Sequence, residues 1–351
     1  MPVDGQPTQQ STDAIVTDGL EASLPRLAAF LREQGVIGAD PLEIARRFTA
    51  GQSNPTYLLQ SGERRLVLRK QPDGHLLPRA HAVVREFRIV SALGEAGFTV
   101  PRTYLSSEDR DIVGTAFYVM DFVPGSVHSD ASLPGMTKED RAATYEGLIS
   151  TLARLHAIDP STLATAGVKS REGFVTRQIT VWREAYLASQ TGEDDRIASV
   201  AARLLERRPK KEGMAIVHGD YRIENLIFDG TRPVAVLDWE LCTIGEPLSD
   251  LAYCCLWHHF PADILNGVGD LDLGQLGIPQ ESALLDRYAA LGGSEPHATH
   301  RYFLAFAFYR LAAILQGVYR RALDGNAASP DAIRRGRIAE YCLSRAQEFI
   351  D

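Results

Sequence analysis

The sequence predicts an α+β chain of two lobes: a small antiparallel β-rich lobe with one main helix, then a large, mostly helical lobe. Three observations predict it. Residues 42–122 hold short β-rich runs around a single helical pattern, residues beyond 137 switch to helical apolar spacing, and no repeat of about twenty to fifty residues recurs. A chain of 351 residues also accommodates two units of roughly 100 to 200 residues each.

Taken in order, residues 1–18 are rich in Gln, Thr, Asp, Gly and Pro without periodicity, and read as a disordered leader. Leu20, Leu24, Leu27 and Leu31 then form one apolar stripe of a helix ending near Gly35, with Pro25 expected in its first turn. Runs at 42–48, 56–60 and 65–71 read as strands, the last two joined across Ser61, Gly62 and Glu63 as an antiparallel meander. Val83, Val84, Phe87, Val90 and Leu93 share one face of the next helix, which Gly94 and Gly97 end. Strands at 103–106 and 115–122 precede the Pro124-Gly125 turn. A first lobe over 19–123 and a second over 124–351 follow from this pattern. In the second, helices are expected at 138–157, 176–190, 195–207, 248–258, 280–291 and 301–323. Brief strands at 216–217, 226–228 and 234–237 surround polar residues, as loops supported by small hairpins do.

Composition removes several function classes. Lys plus Arg number 37 against 45 Asp plus Glu, a formal net charge of −8, which lacks the electrostatic footprint of a nucleic-acid binder. The apolar run 302–319 falls at the lower limit of membrane-spanning length and carries Arg310 and Gln316, so a buried helix is expected and no membrane partner. Cys242, Cys254, Cys255 and Cys342 form no CxxC pair, and the start MPVDGQPTQQ has no basic region followed by an apolar stretch. A reduced, cytoplasmic protein without a signal peptide is the expectation.

The chemistry is concentrated in IVHGDYRIENLIFDGTRPVAVLDWE, residues 216–240. Asp220 is followed after five residues by Asn225 and after thirteen more by Asp238. This spacing reproduces the kinase arrangement of a base in a catalytic loop, an amide metal ligand and a carboxylate on a following strand. Hard oxygen donors such as Asn225 and Asp238 suit Mg2+, whose charge offsets that of a triphosphate, while Asp220 faces the acceptor hydroxyl. His218 and Gly219 make the triplet HGD where protein kinases carry HRD, which points away from protein substrates.

HGDYRIEN followed by LDWE resembles the aminoglycoside phosphotransferase and choline kinase superfamily, whose members share a two-lobed protein-kinase-like fold. GQSNPTYLL, LVLRKQPDG, REFRIVSAL, FYVMDFVPG, LARLHAID, LDWELCTIGEPLSDLAY and FYRLAAILQGVYRRALDGN extend the likeness from about Leu42 to Asn326. They resemble the branch fused to, or encoded beside, acyl-CoA dehydrogenases. The resemblance implies Asp220 as catalytic base and Asn225 and Asp238 as metal ligands. His218 is a loop-stabilising imidazole in that pattern, and Asp250 a structural carboxylate ordering the HGD loop. Glu240, two residues beyond Asp238 along the expected strand, projects to the same face to support metal or water.

A P-loop is absent, since no GxxxxGK[ST] occurs. The turn of Gly51, Gln52, Ser53, Asn54, Pro55 and Thr56 instead offers small hydroxyl and amide donors, which the resemblance assigns to nucleotide phosphates. On the third strand, Leu66 and Leu68 are expected to face the core, which puts Val67 against adenine and Arg69 toward phosphate, with Lys70 the competing cation. Glu86 is the expected ion-pair partner of that cation. Tyr118, Met120, Asp121, Phe122 and Val123 form the expected gatekeeper and hinge.

The expected activity is therefore an ATP- and Mg2+-dependent kinase acting on the hydroxyl of a small molecule. The resemblance implies a hydroxyacyl-CoA or hydroxy acid as acceptor, and a functional link to acyl-CoA dehydrogenases. Arg222, two residues from Asp220, favours an anionic acceptor or the transferring phosphoryl group, and Arg177, Arg183, Arg310, Arg320 and Arg321 could add to that preference. Competing readings are an aminoglycoside- or choline-type kinase and, from another class, a nucleotide-binding pseudokinase or scaffold, which Arg at the usual Lys position keeps open. His156 reads as packing. His258, His259, His297 and His300 lack partners at zinc spacing and read as surface or substrate-lobe residues.

Overall fold

The computed structural model describes residues 19–48, 54–72, 83–169, 172–192, 194–324 and 332–351. The expected leader 1–18 and Ser53 lie outside them. The chain divides into two compact units: residues up to Val84 with Tyr104–Phe122, and Arg85–Thr103 with Val123–Asp351.

The first unit is built on a five-stranded sheet. Strands β1 (Leu42–Phe48), β2 (Thr56–Ser61), β3 (Arg64–Lys70), β4 (Thr103–Ser107) and β5 (Phe117–Asp121) lie in the order β1-β2-β3-β5-β4. The pairings β1–β2, β2–β3 and β3–β5 are antiparallel. Side chains alternate across the pleat, so Tyr57, Leu59, Leu66, Leu68, Phe117 and Val119 share one face and pack with Leu20, Leu27 and Leu31 of the helix Leu20–Glu33. Pro25 sits a turn deeper in that helix than the first turn expected of it, since the helix already begins at Leu20.

The second unit is mostly helical. The helix Val83–Glu95 joins it from Arg85 onward, because Ile89, Val90 and Leu93 pack into its core rather than into that of the sheet. Helices Phe174–Ser189, Arg196–Glu206 and Leu248–Cys255 pack on His300–Leu323, while Lys138–His156 packs on Glu281–Ala290. Phe303, Phe306, Phe308 and Tyr309 of that last helix are all buried, so the most apolar run of the chain is a core helix. A helix not expected from the sequence, Ala332–Ile350, packs along it through Cys342, Leu343 and Ala346.

Two small hairpin-like pieces hold the polar loop of this unit. β6 (Ala215–Val217) pairs antiparallel with β9 (Thr243–Gly245), and β7 (Leu226–Asp229) with β8 (Arg232–Val236). One expectation fails here. β8 ends at Val236, Asp238 has a left-handed backbone (φ 65), and Trp239–Leu241 is a 3-10 turn, so Glu240 does not follow Asp238 along a strand and the shared-face argument for it lapses.

Candidate active site

The strand β6 delivers His218, Gly219 and Asp220 to the start of the loop. The backbone N–H groups of His218 and Gly219 donate to the two oxygens of the fully buried Asp250 carboxylate, at 2.6 and 2.9 Å. His218 is fully buried and bridges the loop: its Nδ1 accepts from the Asp220 N–H at 3.1 Å, which leaves Nε2 to donate to the Leu237 carbonyl at 2.8 Å. Gly219 has φ +87, and a Cβ there would meet the Leu241 carbonyl oxygen at 2.7 Å. The close passage of that carbonyl excludes any side chain at the middle of HGD.

Beyond the triplet, the Tyr221 hydroxyl donates to the Leu148 carbonyl at 2.7 Å, anchoring the loop in the core. The 3-10 turn Ile223–Asn225 follows. Asn225 donates through Nδ2 to the Asp220 backbone carbonyl and to its carboxylate, at 2.8 and 2.9 Å. Its Oδ1 is thereby left as the free acceptor end of the amide. The Leu237 N–H donates to the Asn225 carbonyl at 2.8 Å, so Asp238 stands one residue from a direct tie to Asn225. The structure thus brings Asp220, Asn225 and the backbone of Asp238 into one loop cluster.

The electrostatics around Asp220 are cationic. Burial alone would raise its pKa, but Arg222, Arg310, the facing Tyr253 hydroxyl and His218 together hold it below the usual carboxylate range. Arg222 Nε lies 3.6 Å from the Asp220 carboxylate and its Nη1 2.8 Å from Glu224, with the guanidinium over the Trp257 ring. Burial would lower the Arg222 pKa, but the two carboxylates keep it raised. Arg222 is thus already engaged by two acids. Arg310, left unplaced by sequence reasoning, is the other cation of this region, 6 % exposed and set over the rings of Trp182 and Tyr253. The signal for it was an arginine inside an otherwise apolar run.

In the first unit, Val67 and Met120 face one another across β3 and β5, both buried and both outside the sheet's main core, which holds their neighbours Leu66, Leu68 and Val119. Arg69 shares their face by strand parity, half-buried and in register with Thr56 and Tyr118. Lys70 belongs to the opposite parity and is 1 % exposed. Asn54 is buried, and among the described residues neither end of its amide has a hydrogen-bond partner. Thr56 is less available than expected, because its single hydroxyl proton goes to the Asn54 carbonyl at 3.0 Å. Asp121 accepts from the Tyr104 hydroxyl.

In the second unit, Glu86 is 3 % exposed and its Oε1 accepts from the Trp239 N–H at 3.3 Å, one residue past Asp238. Arg85 donates to the carbonyls of Glu240 and Cys242 on the same segment. Val123 begins this unit's second stretch.

Sequence reasoning missed one further cluster. His259 and His300 both bond through Nε2 to Glu281 Oε1, at 2.9 and 2.8 Å, and ligand-type atoms of Cys255, Glu281 and His300 lie within 4.8 Å of one another. His300 is buried rather than on the surface.

Residues 44–296 match the model of the Phosphotransferase enzyme family. Acyl-CoA dehydrogenase family member 10 of Mus musculus is 39 % identical over 344 residues, 97 % of this chain and 32 % of that protein. The chain spans about a third of the length of that relative. A Ralstonia eutropha crystal structure assigned to the aminoglycoside phosphotransferases is 34 % identical with a TM-score of 0.80, over 93 % of this chain and 97 % of that one. Aminoglycoside phosphotransferase APH(4)-Ia, solved with ADP and hygromycin B, shares the fold at 17 % identity and a TM-score of 0.59, over 92 % and 97 % of the two chains.

Proposed function

Because the chain belongs to the phosphotransferase enzyme family, we propose that it transfers the γ-phosphoryl group of ATP to the hydroxyl of a small hydroxy acid or its acyl-CoA thioester, with Mg2+. The observation that carries this reading is Asp220: a carboxylate kept ionised by cations, gripped by Asn225, at the end of a loop fixed by Asp250. Such a group orients a hydroxyl and takes its proton as the new O–P bond forms and the bond to the leaving ADP oxygen breaks.

The donor set fits a hard divalent ion. Asn225 presents its amide oxygen once Nδ2 is tied to Asp220, and Asp238 supplies a carboxylate nearby in sequence and backbone pairing. When bound, Mg2+ neutralises charge on the phosphate oxygens. The buried amide of Asn54, without a partner among the described residues, fits a loop whose polar groups meet phosphate, while the paired Val67 and Met120 fit an adenine platform with Arg69 beside it. Asp121 and Val123 are the hinge positions in this reading, and Glu86 orients the segment after Asp238 through Trp239.

Two features support an anionic acceptor over a polycationic aminoglycoside. Arg310 acts on Asp220 and, unlike Arg222, has no carboxylate at ion-pair distance among the described residues, so its charge would repel a cationic substrate. The relative of 39 % identity is named for acyl-CoA dehydrogenases, which supports acyl chemistry and a functional link to such enzymes without assigning dehydrogenation to this segment. The test is ADP release with and without Mg2+ over hydroxy acids, hydroxyacyl-CoA thioesters, amino sugars and amino alcohols. Turnover confined to the first two classes is expected. Mg2+-dependent ATP binding with no turnover on any acceptor would instead favour a scaffold.

A further inference from the structure

We propose that Arg310 is the acceptor-recognition residue of this site, and that its guanidinium edge binds the carboxyl-derived oxygens, carboxylate or thioester carbonyl, of the substrate whose hydroxyl meets Asp220. The proposal rests on the phosphotransfer reading and names the part of the substrate that reading leaves open. Arg310 lies in the middle of the helix His300–Leu323, where every neighbour from Tyr302 to Ala313 is buried. Its Nε and Nη2 are covered and have no hydrogen-bond partner among the described residues. A buried guanidinium with idle donors forfeits its hydration without a compensating bond, so the position calls for an acceptor.

The surroundings say what kind. The guanidinium carbon sits 5.1 Å from the Trp182 ring centre and 4.9 Å from that of Tyr253, so aromatic faces pack on the cation while its buried Nε and Nη2 donors stay without a bond among the described residues. No carboxylate lies within ion-pair distance of it among the described residues, in contrast to Arg222, which contacts both Asp220 and Glu224. A planar edge of N–H donors matches the two oxygens of a carboxylate in parallel bonds and can share both donors with the single carbonyl oxygen of a thioester, and charge-assisted bonds of this kind are the strong ones. Tyr253 ties the two ends of the site together, its ring on Arg310 and its hydroxyl facing the Asp220 carboxylate. A short substrate with a hydroxyl at one end and a carboxyl-type group at the other spans that arrangement. The apolar rings between them suit its methylene chain.

The test is calorimetric binding to the full chain in the absence of ATP, so that it reads recognition even if no acceptor is turned over. The probes are a short-chain hydroxy carboxylic acid, its CoA thioester and the diol of equal length. Native protein should bind the acid or the thioester at least tenfold more tightly than the diol, and the tighter of the two identifies the source of the oxygens. Arg310→Met should weaken that ligand by about 10- to 100-fold and erase the preference over the diol. Arg310→Lys, which keeps the charge without the planar edge, should fall between them, and covers the case in which the methionine variant does not fold. Arg301→Met, an exposed position on the same helix, should bind as the native protein does. Native affinity for acid and thioester in both Arg310 variants, or a diol bound as tightly as either, overturns the proposal. Arg310-dependent binding without turnover on any acceptor would instead sink the phosphotransfer reading and leave the recognition site standing.

Discussion

Asn225 holds Asp220 by two hydrogen bonds from one amide nitrogen, to its carbonyl at 2.8 Å and to its carboxylate at 2.9 Å. The metal-ligand candidate and the base candidate are therefore one mechanical unit. Replacing Asp220 by Ala should lower kcat by roughly 100- to 10000-fold. Asn225→Asp keeps an oxygen donor but puts a second carboxylate where a donor stood, so kcat should fall by about 100-fold or more with a steeper dependence on Mg2+. Steady-state ADP release over a Mg2+ series, alongside thermal melting, checks both. Near-native turnover in folded Asp220→Ala removes Asp220 from the reaction.

The fully buried Asp250 makes a different prediction, because its hydrogen bonds among the described residues go to the backbone of the loop and, at 3.5 Å, to His156. Asp250→Ala strands two buried N–H donors, each worth about 1–3 kcal/mol. A urea midpoint lowered accordingly, together with reduced kcat and little change in acceptor KM, is expected. Unchanged stability would mean that water or a shifted loop supplies those acceptors.

Gly219→Ala tests the loop from the other side. The residue must adopt φ +87 and place a methyl 2.7 Å from the Leu241 carbonyl oxygen, a backbone atom that cannot swing away. The left-handed conformation alone costs about 1–2 kcal/mol, and the clash adds to it. Denaturant unfolding should show a loss above that figure, and a variant as stable as the native chain would contradict the described geometry.

How much of this was legible beforehand depended on how local the determinant was. The Asp220, Asn225, Asp238 spacing is set by one loop and one hairpin, so counting along the chain found the cluster. Alternation on β3 likewise separated Leu66 and Leu68 from Val67 and Arg69. Glu240 was misplaced because periodicity cannot show where a strand stops: β8 ends at Val236, and the left-handed Asp238 then turns the chain into a 3-10 turn. Arg310 stayed unplaced since the helix around it is apolar on every side, leaving no pattern to say which way the side chain turns. The Cys255, Glu281, His300 cluster joins three separate helical segments, a meeting no sequence spacing records.

That cluster yields a prediction about acid. Burial would raise the Glu281 pKa, but hydrogen bonds and charge from His259 and His300 hold it at about 2, against an ordinary 4.5. A carboxylate whose folded pKa lies below its unfolded one contributes stability that is fully present above about pH 4.5 and is lost as pH falls toward 2. The gap between the two values corresponds to about 3 kcal/mol, an upper figure for a side chain that keeps 23 % exposure. Glu281→Gln should therefore be less stable than the native chain at neutral pH, and the two should converge as the solution is acidified through that window. Urea midpoints at pH 7, about 4 and about 3 measure the gap. A difference that stays constant over the series would show that the lost contribution is packing rather than charge, and would detach Glu281 from its two imidazoles.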